Sequence, residues 1–251
     1  MTAAAGIDAA AVRRIDDIVA WSLHRRSRVG YFASLYWHVA TTLARAAHAG
    51  GFTNPERIDQ LNHAFFGRYL EAVGSFRRGE PTTEAWAVAF AATARDDLLI
   101  VQHLLLGANA HIDLDLAIGV AETVPAEELE GFRPDFMRMN GLLCSLIDGS
   151  CRDVTRAWPL LRVISRVAGR EDDALLGFGL RAARRSAWDK AQRLAAAPAS
   201  ERPGMIAAMD AETAALGRDI ADRKPLAEAL VRIAALGQQR DVDVVIHDLL
   251  T

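Results

Sequence analysis

Within one apolar stretch running from Gln102 to Leu116, the chain places His103, Asn109, His111, Asp113 and Asp115. These are the side chains best suited to moving a proton or holding a cation. A carboxylate or imidazolium left unpartnered in a dry interior costs several kcal/mol, so such groups are paired, bound to a metal or open to a cleft. At a rise of about 1.5 Å per residue, His111 and Asp115 sit about 6 Å apart along a helix and on one face, which suits a shared divalent ion such as zinc. His103 lies about 12 Å from His111 along the same axis, so it serves another role unless the helix bends at Gly107.

A catalytic zinc normally keeps three protein ligands and one open position. His38 is the first candidate for the third ligand, because Tyr31, Leu35 and His38 share a helix face in an aromatic stretch. In this arrangement His38, His111 and Asp115 hold the metal, and Asp113 or His103 acts as the base. Tyr31, Tyr36, Asn109 and Asn140 then meet the substrate. The competing arrangement uses no metal: His111 and Asp115 form a hydrogen-bonded core pair, since structural networks perturb buried groups as well.

Other features are read as structural. Arg25, Arg26 and Arg28 either bind an anion or answer the negative end of a helix dipole. Arg181, Arg184 and Arg185 with Asp189 read as a solvated helix face. Trp86, Trp158 and Trp188 read as packing anchors, and Cys144 as a small core residue. The chain has no Gly-rich phosphate loop, no Cys-x-x-Cys pair and no Gly-x-Ser-x-Gly elbow.

The elements that must position these groups are helical nearly everywhere. Apolar residues recur at three-and-four spacing from Ile7 to Leu23, and Val29 to His48 continues the pattern. Thr53-Asn54-Pro55-Glu56, in which Thr53 or Asn54 can cap the free amides, starts a third helix that runs to about Val73, with Gly74 placed to end it. Thr82 or Thr83 starts a helix that continues through Arg95. After Leu98–Val120, a connector from Val124 to Pro134 leads to Asp135, placed to cap a helix from Phe136 to Ile147. Further helices are expected at Val154–Val167, Asp172–Ala196, Met205–Asp222, Leu226–Leu236 and Val242–Leu249. The fold class is all-α: a single compact bundle of about eight to ten helices over 1–251, with a buried central helix. Residues 197–251 could instead form a helical appendage.

Several of these stretches carry a resemblance. Arg28 to Val39, Arg68 to Leu70, Gln102 to Leu116, and Asp135-Phe136 with Asn140 resemble an uncharacterised all-helical family common in actinobacteria, one of the domains of unknown function. The likeness covers roughly Ile15 to Trp188 and implies a fold but no activity. The His-x-x-x-Asp spacing is also similar to that of the helical zinc phospholipase C and P1-nuclease group, although the additional histidines of that motif are missing after Asp115.

The chain has 251 residues, 51% of them hydrophobic, and a formal charge of -3, which supports a full core and argues against a general nucleic-acid surface. Cys144 and Cys151 are too few to staple a fold of this size. Met1 to Val19 has charges and no apolar signal core, and Leu98–Val120 carries too many polar groups for a lipid-facing span. A cytoplasmic protein is expected, with a small-molecule substrate, no nucleic acid and no membrane span, and compatible with a homo-oligomer.

Three functions fit these residues. The first is a metal-dependent hydrolase of a phosphate or acyl ester. The second is a metal-free acid–base enzyme, an isomerase, lyase or cyclase, in which His103 and His111 act on an apolar small molecule. The third is a non-enzymatic helical binding or scaffold protein.

Overall fold

The computed structural model describes residues 9–48, 51–142, 172–222 and 241–250. Nine helices and no strand form among them. They are α1 Ala9–Arg25, α2 Val29–His48, α3 Pro55–Arg78, α4 Glu84–Ala92, α5 Ile100–Thr123, α6 over 129–142, α7 Asp172–Ala196, α8 Arg202–Ala221 and α9 Val242–Leu250. The expected helices Val154–Val167 and Leu226–Leu236 lie outside the described residues, as do Cys144, Cys151 and Trp158.

Helix starts follow the local chemistry. Asn54 caps α3 by accepting from the Arg57 amide at 3.0 Å, and Pro55 takes the first turn. The helix runs past Gly74 to Arg78 and ends at Gly79, whose φ of 70° is the left-handed conformation glycine adopts without penalty. Phe76 explains the extension, because its ring stacks on Phe90 with centroids 4.5 Å apart and continues the buried stripe beyond Val73. The N-terminus of α4 is capped twice, locally by Thr83 and from α8 by Asp210. The Asp210 carboxylate accepts from the Glu84 and Ala85 amides at 2.7 and 2.8 Å. This helix ends at Ala92, short of Arg95.

Asp135 does not cap a helix beginning at Phe136. A short 3-10 turn, Ala126–Glu128, leads directly into α6, so Asp135 is already inside the helix. Its carboxylate instead accepts from the Thr53 and Asn54 amides at 2.8 and 2.7 Å, which pins the approach to α3.

The central element is α5, which packs against α2, α3, α4, α7 and α8. It is long and apolar enough by composition to cross a membrane, and 72% of its most apolar window is buried inside this protein. Leu116, Ala117, Ile118 and Val120 are wholly screened from solvent. Between Asn109 and Asp115 the helix widens into a π turn, marked by the Leu116 amide bonding the His111 carbonyl five residues back. All seven residues of that turn are buried. Gly107 lies within the helix, against Phe32: a Cβ there would come 2.5 Å from the Phe32 ring, so only glycine permits this approach. Outside this centre, α8 packs on α4 and α5, and α9 on α2 and α1.

Candidate functional site

Asp115 is a hub of hydrogen bonds. Its Oδ2 accepts from the Trp86 indole at 2.9 Å and from His111 Nδ1 at 3.1 Å, while its Oδ1 accepts from Arg68 Nε at 3.2 Å. Three helices converge here, with α3 presenting Arg68, α4 presenting Trp86, and the π turn presenting both His111 and Asp115. Burial pushes the His111 pKa down, and the hydrogen bond that His111 donates to Asp115 offsets this only in part. The imidazole is therefore neutral, with its proton on Nδ1 and a bare lone pair on Nε2. The cation that answers the Asp115 carboxylate is Arg68, which also lies 3.6 Å from Glu122.

Aromatic rings enclose the other side of His111. Phe65 stacks on it with centroids 3.7 Å apart, and Tyr36 meets it edge-on at 4.7 Å. Its Nε2 is buried without a hydrogen-bond partner, and so is the Tyr69 hydroxyl. Burial pushes the phenols of Tyr36 and Tyr69 well up, so both stay protonated.

The structure does not bring His38 to this hub. Phe32 and Tyr36, one turn apart on α2, both face His111. His38 follows Tyr36 by two residues, about 200° around the helix, so it faces α9. Its Nε2 donates to the Leu249 carbonyl at 2.9 Å. Among the described residues no three His, Cys, Asp or Glu side chains gather as a metal site. Tyr31 meets the edge of the other candidate imidazole, His103, with centroids 5.7 Å apart.

The remaining candidates belong to separate contacts. Asp113 accepts from Lys190 Nζ at 2.9 Å and from the Thr213 hydroxyl at 3.4 Å, while Asn109 Nδ2 donates to the Thr213 carbonyl at 2.8 Å. The π turn thus sends His111 and Asp115 towards α3 and α4, and Asn109 and Asp113 towards α7 and α8. Asn140, on α6, accepts from Arg184 of α7.

His103 stands apart from both groups. It is buried, and neither ring nitrogen has a hydrogen-bond partner. Burial, together with the Arg28 and Arg95 guanidinium groups, lowers its pKa to about 4, so it is neutral at pH 7. The ring lines a cavity of about 20 Å³, which has room for one water. Arg28 and Thr93, joined by a hydrogen bond, line it as well, together with the rings of Phe32, Tyr69, Trp86 and Phe90. Phe32 and Trp86 also contact the His111 ring, so the cavity and the hub share a partition.

Several partners were not singled out from the sequence. Arg184 is buried rather than part of a solvated face, and Lys190 is buried beside it on α7. The signal was present: Arg184, Ala187, Lys190, Ala191 and Leu194 recur at helical spacing on one stripe. Trp86 is a packing anchor as read, but its indole nitrogen also has a polar duty. No spacing rule pairs Arg68, Trp86 or Thr213 with Asp115 or Asp113, because those contacts join residues from 29 to 100 positions apart.

Comparison with known protein families matches residues 9–223 to a family of unknown function, DUF5995. The match spans most of the chain, so the protein belongs to that family. No curated protein and no solved structure matches it.

Proposed function

For this DUF5995 member we propose a metal-free acid–base activity on a small, largely apolar molecule, with His103 as the proton-transferring residue. The observation that carries this reading is the His103 imidazole, buried and neutral, with neither ring nitrogen partnered, in a side chain that lines a cavity. A neutral imidazole offers one N–H and one lone pair, so it can give a proton at one atom and take one at the other. The Arg28 guanidinium beside it stabilises negative charge that develops on a bound carbonyl oxygen. Phe32, Trp86 and Phe90 supply an apolar surface that limits water.

Support moves away from a metal-dependent hydrolase because of the ligand geometry. Both Asp115 oxygens already accept hydrogen bonds, His111 Nε2 lies among rings, and His38 is engaged with α9. A second reading, a non-catalytic helical protein, draws on the same saturation: Asp113, Asp115 and Asp135 all have structural partners.

Solvent-deuterium exchange separates the two. A panel of small ketones and carboxylic acids incubated with the protein in heavy water should contain members that exchange the hydrogen next to their carbonyl carbon. His103→Gln should abolish that exchange while leaving the circular dichroism spectrum unchanged. Exchange at equal rate in His103→Gln, or none with any member of the panel, would count against catalysis by His103.

A further inference from the structure

Arg28 is held by three partners of unequal strength, the first being the Tyr31 hydroxyl, which accepts a hydrogen bond from it. One guanidinium nitrogen donates to the Thr93 carbonyl at 2.9 Å, which fixes the group at the cavity edge. Another nitrogen contacts the Asp96 carboxylate. The Asp96 side chain is 86% exposed while that of Arg28 is 20% exposed. An ion pair with so exposed an acid contributes little, because water and salt compete for it. Arg28 therefore keeps a fixed position and a replaceable counter-ion.

The cavity side of that cation is asymmetric. His103 is more than nine-tenths buried and lines the cavity, with neither ring nitrogen partnered, and Thr93 lines it as well. Beyond them the wall is Phe32, Trp86 and Phe90. A single water would satisfy at most one His103 nitrogen and would leave the aromatic wall unused. A ligand matched to both ends has an anionic head, a hydrogen-bonding oxygen and a short apolar body.

We infer that this cavity binds a small monocarboxylate, whose carboxylate takes the place of Asp96 on Arg28 and bonds His103 while its apolar part lies on Phe32, Trp86 and Phe90. This deepens the proposed function and rests on the same His103 cavity. The resting volume of about 20 Å³ admits one water, so entry requires the Arg28–Asp96 contact to part. Asp96 lies in the link between α4 and α5, and because its own side chain is 86% exposed it can swing away from Arg28 while Leu98 and Leu99 of the same link stay in the core. The Arg28–Thr93 bond keeps the cation in place when it does.

Calorimetric and NMR titration of the full chain with acetate, propionate, butyrate and benzoate tests this, with propionamide and sodium chloride as controls. The carboxylates should bind, with His103 ring resonances shifting, and propionamide should bind at least tenfold more weakly. Asp96→Asn lies on the surface and removes the competing acid, so it should tighten carboxylate binding three- to tenfold. Arg28→Gln should lose it, and Arg28→Lys, which keeps the charge without the planar fork, should weaken it.

Equal affinity for propionamide and propionate, or carboxylate binding unchanged in both Arg28 variants and in Asp96→Asn, would overturn the inference. If neutral ketones bind at His103 and exchange hydrogen, the acid–base reading survives without the anion. If carboxylates bind through Arg28 and nothing exchanges, the anion site stands and the acid–base reading fails.

Discussion

The indole Nε1 of Trp86 donates to the Asp115 carboxylate at 2.9 Å, and both side chains are buried. The same oxygen accepts from His111, and Arg68 takes the other. Asp115 is thus an acceptor surrounded by donors. Replacing it by Asn puts an NH2 group against either Arg68 or the Trp86–His111 pair, donor facing donor. Asp115→Asn should therefore lose on the order of 3 kcal/mol of stability. Trp86→Phe, which removes one donor and keeps a ring, should cost about 1–2 kcal/mol. Urea unfolding reads both as lower midpoints at unchanged slope. A loss below about 0.5 kcal/mol for Asp115→Asn would show that the hub does not hold the fold.

Stability should rise with pH on the acid side of neutrality. The pKa values of His103 and His111 are both lowered in the folded protein, to about 4 for His103, from an ordinary 6.5. The unfolded chain therefore takes up protons as pH falls below about 6.5, before the folded protein can. Each such histidine tilts the balance towards unfolding by about 1.4 kcal/mol per pH unit. For His103 the loss stops growing near its folded pKa, and above about 6.5 neither residue adds a slope. Unfolding free energies measured between pH 4.5 and 8 should show this pattern, and His103→Gln should flatten part of it. A profile as steep in His103→Gln as in the parent would mean that His103 titrates normally.

The sequence carried the architecture because helices advertise themselves locally. The apolar stripe fixed Val29–His48 and Asp172–Ala196, and the run of apolar residues placed Leu98–Val120 at the centre, where the helix Ile100–Thr123 lies. Boundaries failed where a distant contact overrode a local stop, as at Gly74, which Phe76 on Phe90 carries the helix past. Asp135 was recognised as a polar residue with a capping duty, but the amides it serves lie 81 and 82 positions away. The site was legible in type but not in pairing. His111 and Asp115 were expected on one face, and the π turn still brings them together at 3.1 Å. Periodicity could not show that this turn aims Asn109 and Asp113 elsewhere, because a π turn has no distinct apolar pattern of its own.

Asp135 should matter for stability through the chain it holds. Its two oxygens accept the Thr53 and Asn54 amides, and Asn54 in turn caps α3. Asp135→Ala leaves both amides without their acceptor and should cost about 2 kcal/mol. Hydrogen exchange localises the effect: the Thr53 and Asn54 amides should lose protection first. Loss of protection spread evenly over the protein would instead indicate a general packing defect.

Lys190 and Asp113 form a deeply placed pair of opposite full charges, Nζ to Oδ2 at 2.9 Å with side-chain exposures of 7% and 13%. Such a pair is costly to desolvate, so its net contribution differs greatly from the cost of removing one half. Lys190→Met keeps the length of the side chain and leaves the carboxylate with the Thr213 hydroxyl as its remaining side-chain partner. That variant should lose about 3–5 kcal/mol. Adding Asp113→Asn removes the stranded charge and still offers Thr213 an acceptor, so the double variant should recover most of the loss and end within about 1–2 kcal/mol of the parent. Urea unfolding of the two single variants and the double gives the coupling directly. A coupling below about 0.5 kcal/mol would mean that the two charges do not sense each other in solution, and that α7 is held to the π turn by its apolar stripe alone.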